Sequence, residues 1–98
     1  MKLSSSQRRF LRGMTHHINP VVMVGDKGLT ENVLEELDTA LNHHELIKVR
    51  IRTDRDTRST HSTEIADKCK AVVVHQIGHV TCFYRRNKKK PVIDFPGA

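Results

Sequence analysis

Two glycines stand at a spacing that suits phosphate binding: Gly25 and Gly28 enclose Asp26 and Lys27. Glycine at both ends lets the backbone turn sharply and lets a ligand approach without a Cβ atom in the way. The N–H groups that open a following helix attract a phosphate oxygen, and Lys27 adds a positive charge. This GxxG loop therefore predicts a clamp for a nucleotide backbone, although a plain turn has the same pattern. It is neither a GxGxxG motif nor a P-loop, so no dinucleotide or ATP site is indicated.

Phosphate contacts are also predicted along the basic segments of the chain. Lys and Arg number 17 against 11 Asp and Glu, which gives a formal net charge of +6 over 98 residues. The cations concentrate in residues 1–20, 46–60 and 85–98, whereas residues 21–45 are acidic. One charge run is typical of a solvated face, but three basic runs in so short a chain favour a polyanion, with nucleic acid first. The predicted contacts, besides the loop, are basic positions of the first helix and the second strand: Arg8, Arg9, Arg12, Lys48, Arg50 and Arg52.

The histidines and cysteines do not form a recognisable metal or catalytic site. Cys69, His75 and His79 lack the paired cysteines of a zinc finger. No nucleophile motif or catalytic triad accompanies the seven histidines. We therefore expect no metal, no cofactor, no catalytic residue and no small-molecule substrate. An RNA-processing enzyme that uses histidine for acid–base chemistry is the less favoured alternative.

Nothing in the sequence predicts a membrane segment or an oxidising compartment. The longest apolar runs, residues 21–24 and 71–74, have only four residues, whereas a membrane span needs about 20. Two cysteines, Cys69 and Cys82, are too few for a disulfide scaffold. We expect reduced thiols, no membrane association and a cytoplasmic location.

The loop and the basic positions must be held by regular elements, and the first half of the chain predicts two helices and two strands. Apolar residues at three- and four-residue spacing indicate a helix that ends before Asn19-Pro20 and a second helix that begins after Thr30. The fully apolar run at residues 21–24 is typical of a buried strand. Residues 46–52 alternate between an apolar face and a largely basic face, which predicts a second strand.

The second half completes a small α/β domain. Residues 53–59 indicate a polar loop and residues 60–70 a third helix. Residues 71–75 and 79–85 favour a hairpin around Gly78. The order α-β-α-β-α-β-β predicts a two-layer α/β fold with a four-stranded mixed sheet. We expect a single domain over residues 1–98, in which residues 85–98 form a basic tail.

Acidic side chains on the second helix suggest a different partner. Glu35, Glu36 and Asp38 lie in the middle of this helix and are expected to face water. The alternative function is therefore a protein-interaction module that docks a basic protein through this face. Such docking and RNA binding are compatible, because the two would use different surfaces.

Three sequence blocks resemble one known family, the CRM domain (chloroplast RNA splicing and ribosome maturation). These blocks are His17-x-x-Pro20-Val-Val, Gly25-x-x-Gly-Leu-Thr30 and His44-Glu-Leu-Ile-Lys-Val49. Free-standing bacterial members of this family are the YhbY-like proteins. The resemblance implies a fold similar to the C-terminal domain of translation initiation factor three, RNA binding, and association with precursors of the large ribosomal subunit. For the alternative function, it implies that the basic protein docked by the second helix is a ribosomal protein. In one departure, Asp26 stands where family loops often carry a basic residue.

Overall fold

The computed structural model describes residues 2–96, which build one four-stranded sheet and three α-helices. The helices are α1 (Ser5–Met14), α2 (Glu31–His44) and α3 (Arg55–Lys68), and a 3₁₀ turn (Thr15–His17) follows α1. The strands are β1 (Pro20–Val24), β2 (Leu46–Ile51), β3 (Val72–Ile77) and β4 (Val80–Tyr84). The predicted order of elements is confirmed. Met1, Gly97 and Ala98 of the expected domain lie outside the described residues.

The sheet is mixed, as predicted, and its strand order is β1-β2-β4-β3. β1 and β2 are parallel, because the helical crossover α2 joins them. β4 pairs antiparallel with both β2 and β3, so it lies between two strands that run in the same direction. As a consequence, the ends of β1, β2 and β3 and the turn before β4 all meet at one edge of the sheet.

The two faces of the sheet are covered differently. On one face α2 and α3 pack against the apolar positions of β2, namely Ile47, Val49 and Ile51. On the other face α1 and the segment after β4 cover only one end of the sheet, where Leu11 and Tyr84 are fully buried. The remainder of that second face is open, and it carries the basic positions of β2.

β1 departs from the fully buried strand that its apolar sequence predicts. Val22 and Val24 are buried, but Val21 is 49% exposed and Met23 is 56% exposed. β1 pairs only with β2, so it is an edge strand, and the second face is uncovered beside it. The uniformly apolar sequence of β1 therefore predicted burial on both faces of the strand, but the structure buries only one face.

α3 begins earlier than predicted, so the expected polar loop over residues 53–59 is wrong from residue 55 onward. The Asp54 side chain is the N-cap and accepts hydrogen bonds from the N–H and the hydroxyl of Thr57, both at 2.9 Å. These two bonds lower the pKa of Asp54 below its ordinary value, because they stabilise the ionised carboxylate. A strong cap starts a helix even though the first turn is wholly polar.

Candidate nucleic-acid interface

The GxxG loop joins β1 to α2, and its two glycines serve different purposes. A hydrogen bond of 3.0 Å from the N–H of Gly28 to the carbonyl of Gly25 closes the turn. Gly28 has a φ of +70°, and a Cβ atom placed on it would lie 3.2 Å from Cε1 of His61. Gly25 has no such φ, and a Cβ atom there would meet nothing within 4 Å. Gly28 is therefore required by the turn, whereas Gly25 leaves open surface that a ligand can approach.

The start of α2 offers fewer free donors than the sequence suggests. The Thr30 hydroxyl accepts a hydrogen bond of 3.2 Å from the N–H of Val33, so the cap already occupies one of the donors at this end. Glu31 follows in the first turn and adds a negative charge. Asp26 and Lys27 are both exposed and oppose each other in charge. Additional cations must therefore come from neighbouring elements.

The fold supplies those cations at the same edge of the sheet. The N–H of Arg52 donates to the carbonyl of Val24 at 3.1 Å, which places Arg52 beside the loop. In α3, Arg58 donates to the carbonyl of Thr53 at 2.9 Å and lies 3.4 Å from Nδ1 of His79. We call this surface the loop edge; it consists of Gly25–Gly28, Arg52, Arg55, Arg58, His61 and His79.

Four of the loop-edge residues were missed by the sequence analysis. Arg55 and Arg58 fall where a polar loop was predicted, and His61 and His79 were assigned no role in RNA binding. Arg55 and Arg58 border a cavity of about 560 Å³ that extends toward the β3–β4 turn. The signal that could have found them is the Asp54-x-x-Thr57 capping pattern, which places these side chains on a helix.

The second basic surface is a groove on the open face of the sheet. Its volume is about 280 Å³, and Lys48 and Arg50 of β2 lie in it side by side. This confirms that they share one face of the strand, as the alternation predicts. His16 borders the groove from the turn after α1, and His75 borders it from β3. We call this surface, between the end of α1 and β1–β4, the sheet groove.

His75 reports how closely the cations converge on the sheet groove. Partial burial, and then the charges of Arg12, His16 and Lys48, lower the pKa of His75 below its ordinary value. The lowered pKa favours the uncharged form of His75, so the positive charge of the groove comes from Lys48, Arg50 and the nearby Arg12. A neutral imidazole in this position can hydrogen-bond or stack with a base rather than pair with a phosphate.

The three arginines of α1 do not act as a group. The guanidinium of Arg8 donates to the carbonyls of Val73 at 2.6 Å and Val74 at 3.3 Å, so it fastens α1 to β3. Arg9 and Arg12 are exposed. Arg12 lies near the sheet groove, as its effect on His75 indicates. The predicted phosphate-contact role therefore suits Arg12 better than Arg8, whose Nη1 already donates to the backbone of β3.

One acid of α2 does not face water freely. Asp38 accepts a hydrogen bond of 2.6 Å from Arg85, which also donates to the carbonyl of Cys69 at 2.9 Å. Arg85 therefore joins α2 to the end of α3 and belongs to the folded body rather than to a free basic tail. Glu35 and Glu36 are exposed, as expected.

The described part of the chain offers no arrangement of side chains for a metal ion and no helix suited to a membrane. Residues 2–96 contain no group of three or more His, Cys, Asp or Glu side chains arranged to hold a metal ion. Within the same residues, no helix is long and apolar enough to cross a membrane. Cys69 and Cys82 are buried, unpaired thiols, and burial raises the pKa of each above its ordinary value.

Comparison with known proteins gives consistent results over nearly the whole chain. The model of the CRS1 / YhbY (CRM) domain matches residues 3–85. An RNA-binding protein of Haemophilus influenzae is 47% identical over 91 residues, which cover 92% of both chains. A probable RNA-binding protein of Pseudomonas aeruginosa is 40% identical over 90 residues, which cover 91% of this chain and 86% of the relative. These relatives are named for RNA binding rather than for a reaction.

The fold is also found in a solved structure. A hypothetical protein from Staphylococcus aureus, determined in solution, superposes with a TM-score of 0.82 at 29% sequence identity. The superposition covers 97% of this chain and 100% of that protein.

Proposed function

Because the chain belongs to the CRS1 / YhbY (CRM) domain family, we propose that it is an RNA-binding protein that associates with ribosomal RNA in precursors of the large ribosomal subunit and assists their assembly. The partner is RNA within that precursor, and no chemistry on the RNA is part of the proposal. The observation that carries the RNA contact is the convergence of cations on two adjoining surfaces, the loop edge and the sheet groove. Arg50 lies in the groove, and Arg52, two residues further along the chain, lies at the loop edge.

The aromatic residues support recognition by backbone and shape rather than by base stacking. The chain has one Tyr, three Phe and no Trp. Phe83 and Tyr84 are fully buried, and Phe95 packs on both Phe10 and Tyr84 with ring centroids 5.8 and 5.7 Å apart. No aromatic platform for successive bases is therefore present at the surface of residues 2–96. Cations on a structured face are suited to the phosphates of folded RNA.

The proposal is tested by measuring RNA affinity against salt for a groove variant and a matched control. Lys48→Gln with Arg50→Gln removes two cations from the sheet groove. Lys68→Gln with Lys70→Gln removes two exposed cations at the end of α3, away from both surfaces. The probe is a fluorescently labelled transcript of a large-subunit ribosomal RNA domain. Each phosphate contact contributes roughly −0.7 to the slope of log affinity against log salt on single strands.

We expect the groove variant to reduce the magnitude of that slope by roughly 1.4 if both contacts are lost. The control should change it much less, and the RNA should stay intact throughout. A flat salt response of the unmodified protein, or equal effects of the two variants, would contradict RNA binding at the groove. Crosslinking in cell extract then tests the ribosomal part of the proposal: crosslinks absent from large-subunit RNA precursors would refute it.

A further inference from the structure

We propose that the turn Arg86–Lys90, here called the lysine turn, is a further phosphate-binding site for RNA, built on the buried carboxylate of Glu45. This inference rests on the proposed RNA binding and adds a contact surface to it. The match to the family model ends at residue 85, so the lysine turn lies outside the matched segment. It is separate from both the loop edge and the sheet groove.

Glu45 holds the segment that carries the lysine turn. It is fully buried, and it ends α2 with a φ of +62°, a conformation that residues other than glycine adopt only where surrounding contacts impose it. Its carboxylate accepts hydrogen bonds from the N–H groups of Asn87 at 2.6 Å, Val92 at 2.8 Å and Ile93 at 2.6 Å. One buried side chain thus positions both ends of residues 87–93.

Asn87 shapes the turn between those ends. Its side-chain oxygen accepts from the N–H groups of Lys89 and Lys90, both at 3.1 Å, and its Nδ2 donates to the carbonyl of Asn42 at 3.0 Å. Packing of Ile93 on the sheet accounts for ordering at residues 92 and 93. This packing does not require residues 88–90 to be ordered as well. The hydrogen bonds of Asn87 order them, and stability of the core does not explain why.

The ordered turn concentrates positive charge at a concave surface. A cavity of about 790 Å³ opens between the turn and the end of α2, where Asn42 and His43 form its other wall. Within residues 2–96 the only salt bridge joins Arg85 to Asp38. The four cations of the turn, Arg86, Lys88, Lys89 and Lys90, therefore have no carboxylate partner. Like charges held together repel one another, and a bound polyanion removes that cost.

The position of the lysine turn makes its contact additional to those of the other surfaces. Glu45 directly precedes β2, whereas the loop edge begins where β2 ends. The six residues of β2 separate the two by about 20 Å, at roughly 3.3 Å per residue. A single phosphate cannot reach both sites. The backbone of a structured RNA that lies along the sheet can contact both, which is why RNA fits the turn better than a small anion.

The first test removes the charge and keeps the anchor. Lys88→Gln with Lys89→Gln is compared with the control Lys68→Gln with Lys70→Gln, in the same titration with ribosomal RNA transcripts. Loss of one phosphate contact should weaken binding roughly 5-fold at 0.1 M salt, and loss of two roughly 25-fold. We expect a decrease of at least about 5-fold for the lysine-turn variant and a smaller effect of the control.

In the second test, the expected change in RNA affinity is opposite to the change that net charge alone predicts. Glu45→Gln raises the net charge by one, which on charge alone should strengthen RNA binding. Because this change weakens the bonds that hold residues 87–93, we expect it to weaken RNA binding and to speed tryptic cleavage after Lys88 and Lys89. Glu36→Gln makes the same charge change on exposed α2 surface, so it should leave affinity unchanged or slightly higher.

The outcomes separate this inference from the proposed function. RNA binding by the unmodified protein, with equal affinities of the lysine-turn variant and its control, would overturn the lysine turn alone. No RNA binding at all would overturn the proposed function and the turn with it. If Glu45→Gln unfolds the chain, the lysine-turn variant decides. In NMR spectra, the amide signals of residues 87–90 should shift when RNA is added but not when inorganic phosphate is added at equal phosphate concentration. Signals that shift with inorganic phosphate and not with RNA would overturn RNA as the ligand.

Discussion

Replacing Gly28 by alanine should destabilise the protein, whereas replacing Gly25 should not. Gly28 has a φ of +70°, in the left-handed region, and its position for a Cβ atom lies 3.2 Å from the His61 ring. Placing an L-residue in this conformation costs about 1–2 kcal/mol. The His61 contact adds little if the ring moves by a few tenths of an ångström. We therefore expect the free energy of unfolding to fall by about 1–2 kcal/mol.

Thermal unfolding followed by circular dichroism measures this difference. For a domain of this size 1 kcal/mol corresponds to roughly 4–8 °C in Tm, so Gly28→Ala should lower Tm by about 4–16 °C. Gly25→Ala is the matched control, since a Cβ atom there meets nothing within 4 Å and its φ is not left-handed. Its Tm should be unchanged or slightly higher, because alanine reduces the freedom of the unfolded chain.

Gly25 is expected to matter for RNA affinity rather than for stability. Gly25→Asp adds a side chain and a negative charge where the ligand is expected to approach, so it should weaken RNA binding by about 10-fold or more with native circular dichroism. An unchanged Tm for Gly28→Ala would refute the strain argument. Normal RNA affinity of a folded Gly25→Asp variant would remove the loop from the binding surface.

Two further predictions concern buried polar side chains. The Tyr84 hydroxyl is buried and has no hydrogen-bond partner within residues 2–96, so Tyr84→Phe should raise the free energy of unfolding by about 1 kcal/mol in urea titrations. Burial, and then the charge of Glu45, raise the pKa of Tyr84 above its ordinary value of 10. The unmodified protein should therefore lose stability as the pH rises from 10 through the folded-state pKa of Tyr84, because ionisation is easier in the unfolded chain. The Tyr84→Phe variant has no hydroxyl to ionise and should not show this loss. Burial also raises the pKa values of Cys69 and Cys82, so both thiols should react slowly with Ellman's reagent until denaturant is added; rapid reaction of the folded protein would show that they are accessible.

The order of elements followed from the sequence because it rests on local patterns. The period-two alternation of β2 placed Lys48 and Arg50 on one face, and they lie together in the sheet groove. The cap of α1 is equally local: the Ser4 hydroxyl accepts a hydrogen bond from the N–H of Gln7 within a capping box. Neighbouring residues decide such features, so no knowledge of distant contacts is needed.

Contacts between residues far apart in the chain were decided only by the tertiary structure. Gly25 and Gly28 are both glycines of one GxxG pattern, and only the structure shows that Gly28 has the left-handed φ and lies beside His61 of α3. Arg8 reads as a surface cation until the docking of α1 brings it to the carbonyls of β3, 65 and 66 residues away. The side-chain type specifies which bonds are possible, but the arrangement of elements selects the partner.

Glu45 shows the same division most fully. In the sequence it is one more acid in an acidic segment, within a block that resembles a family motif. The fold buries it at the end of α2 and brings the amides of residues 87, 92 and 93 to its carboxylate, 42 to 48 residues away. A buried carboxylate must find donors, since leaving it unpaired would cost several kcal/mol. The residue type gave Glu45 its carboxylate, and the packing of the chain end over the sheet determined which amides that carboxylate binds.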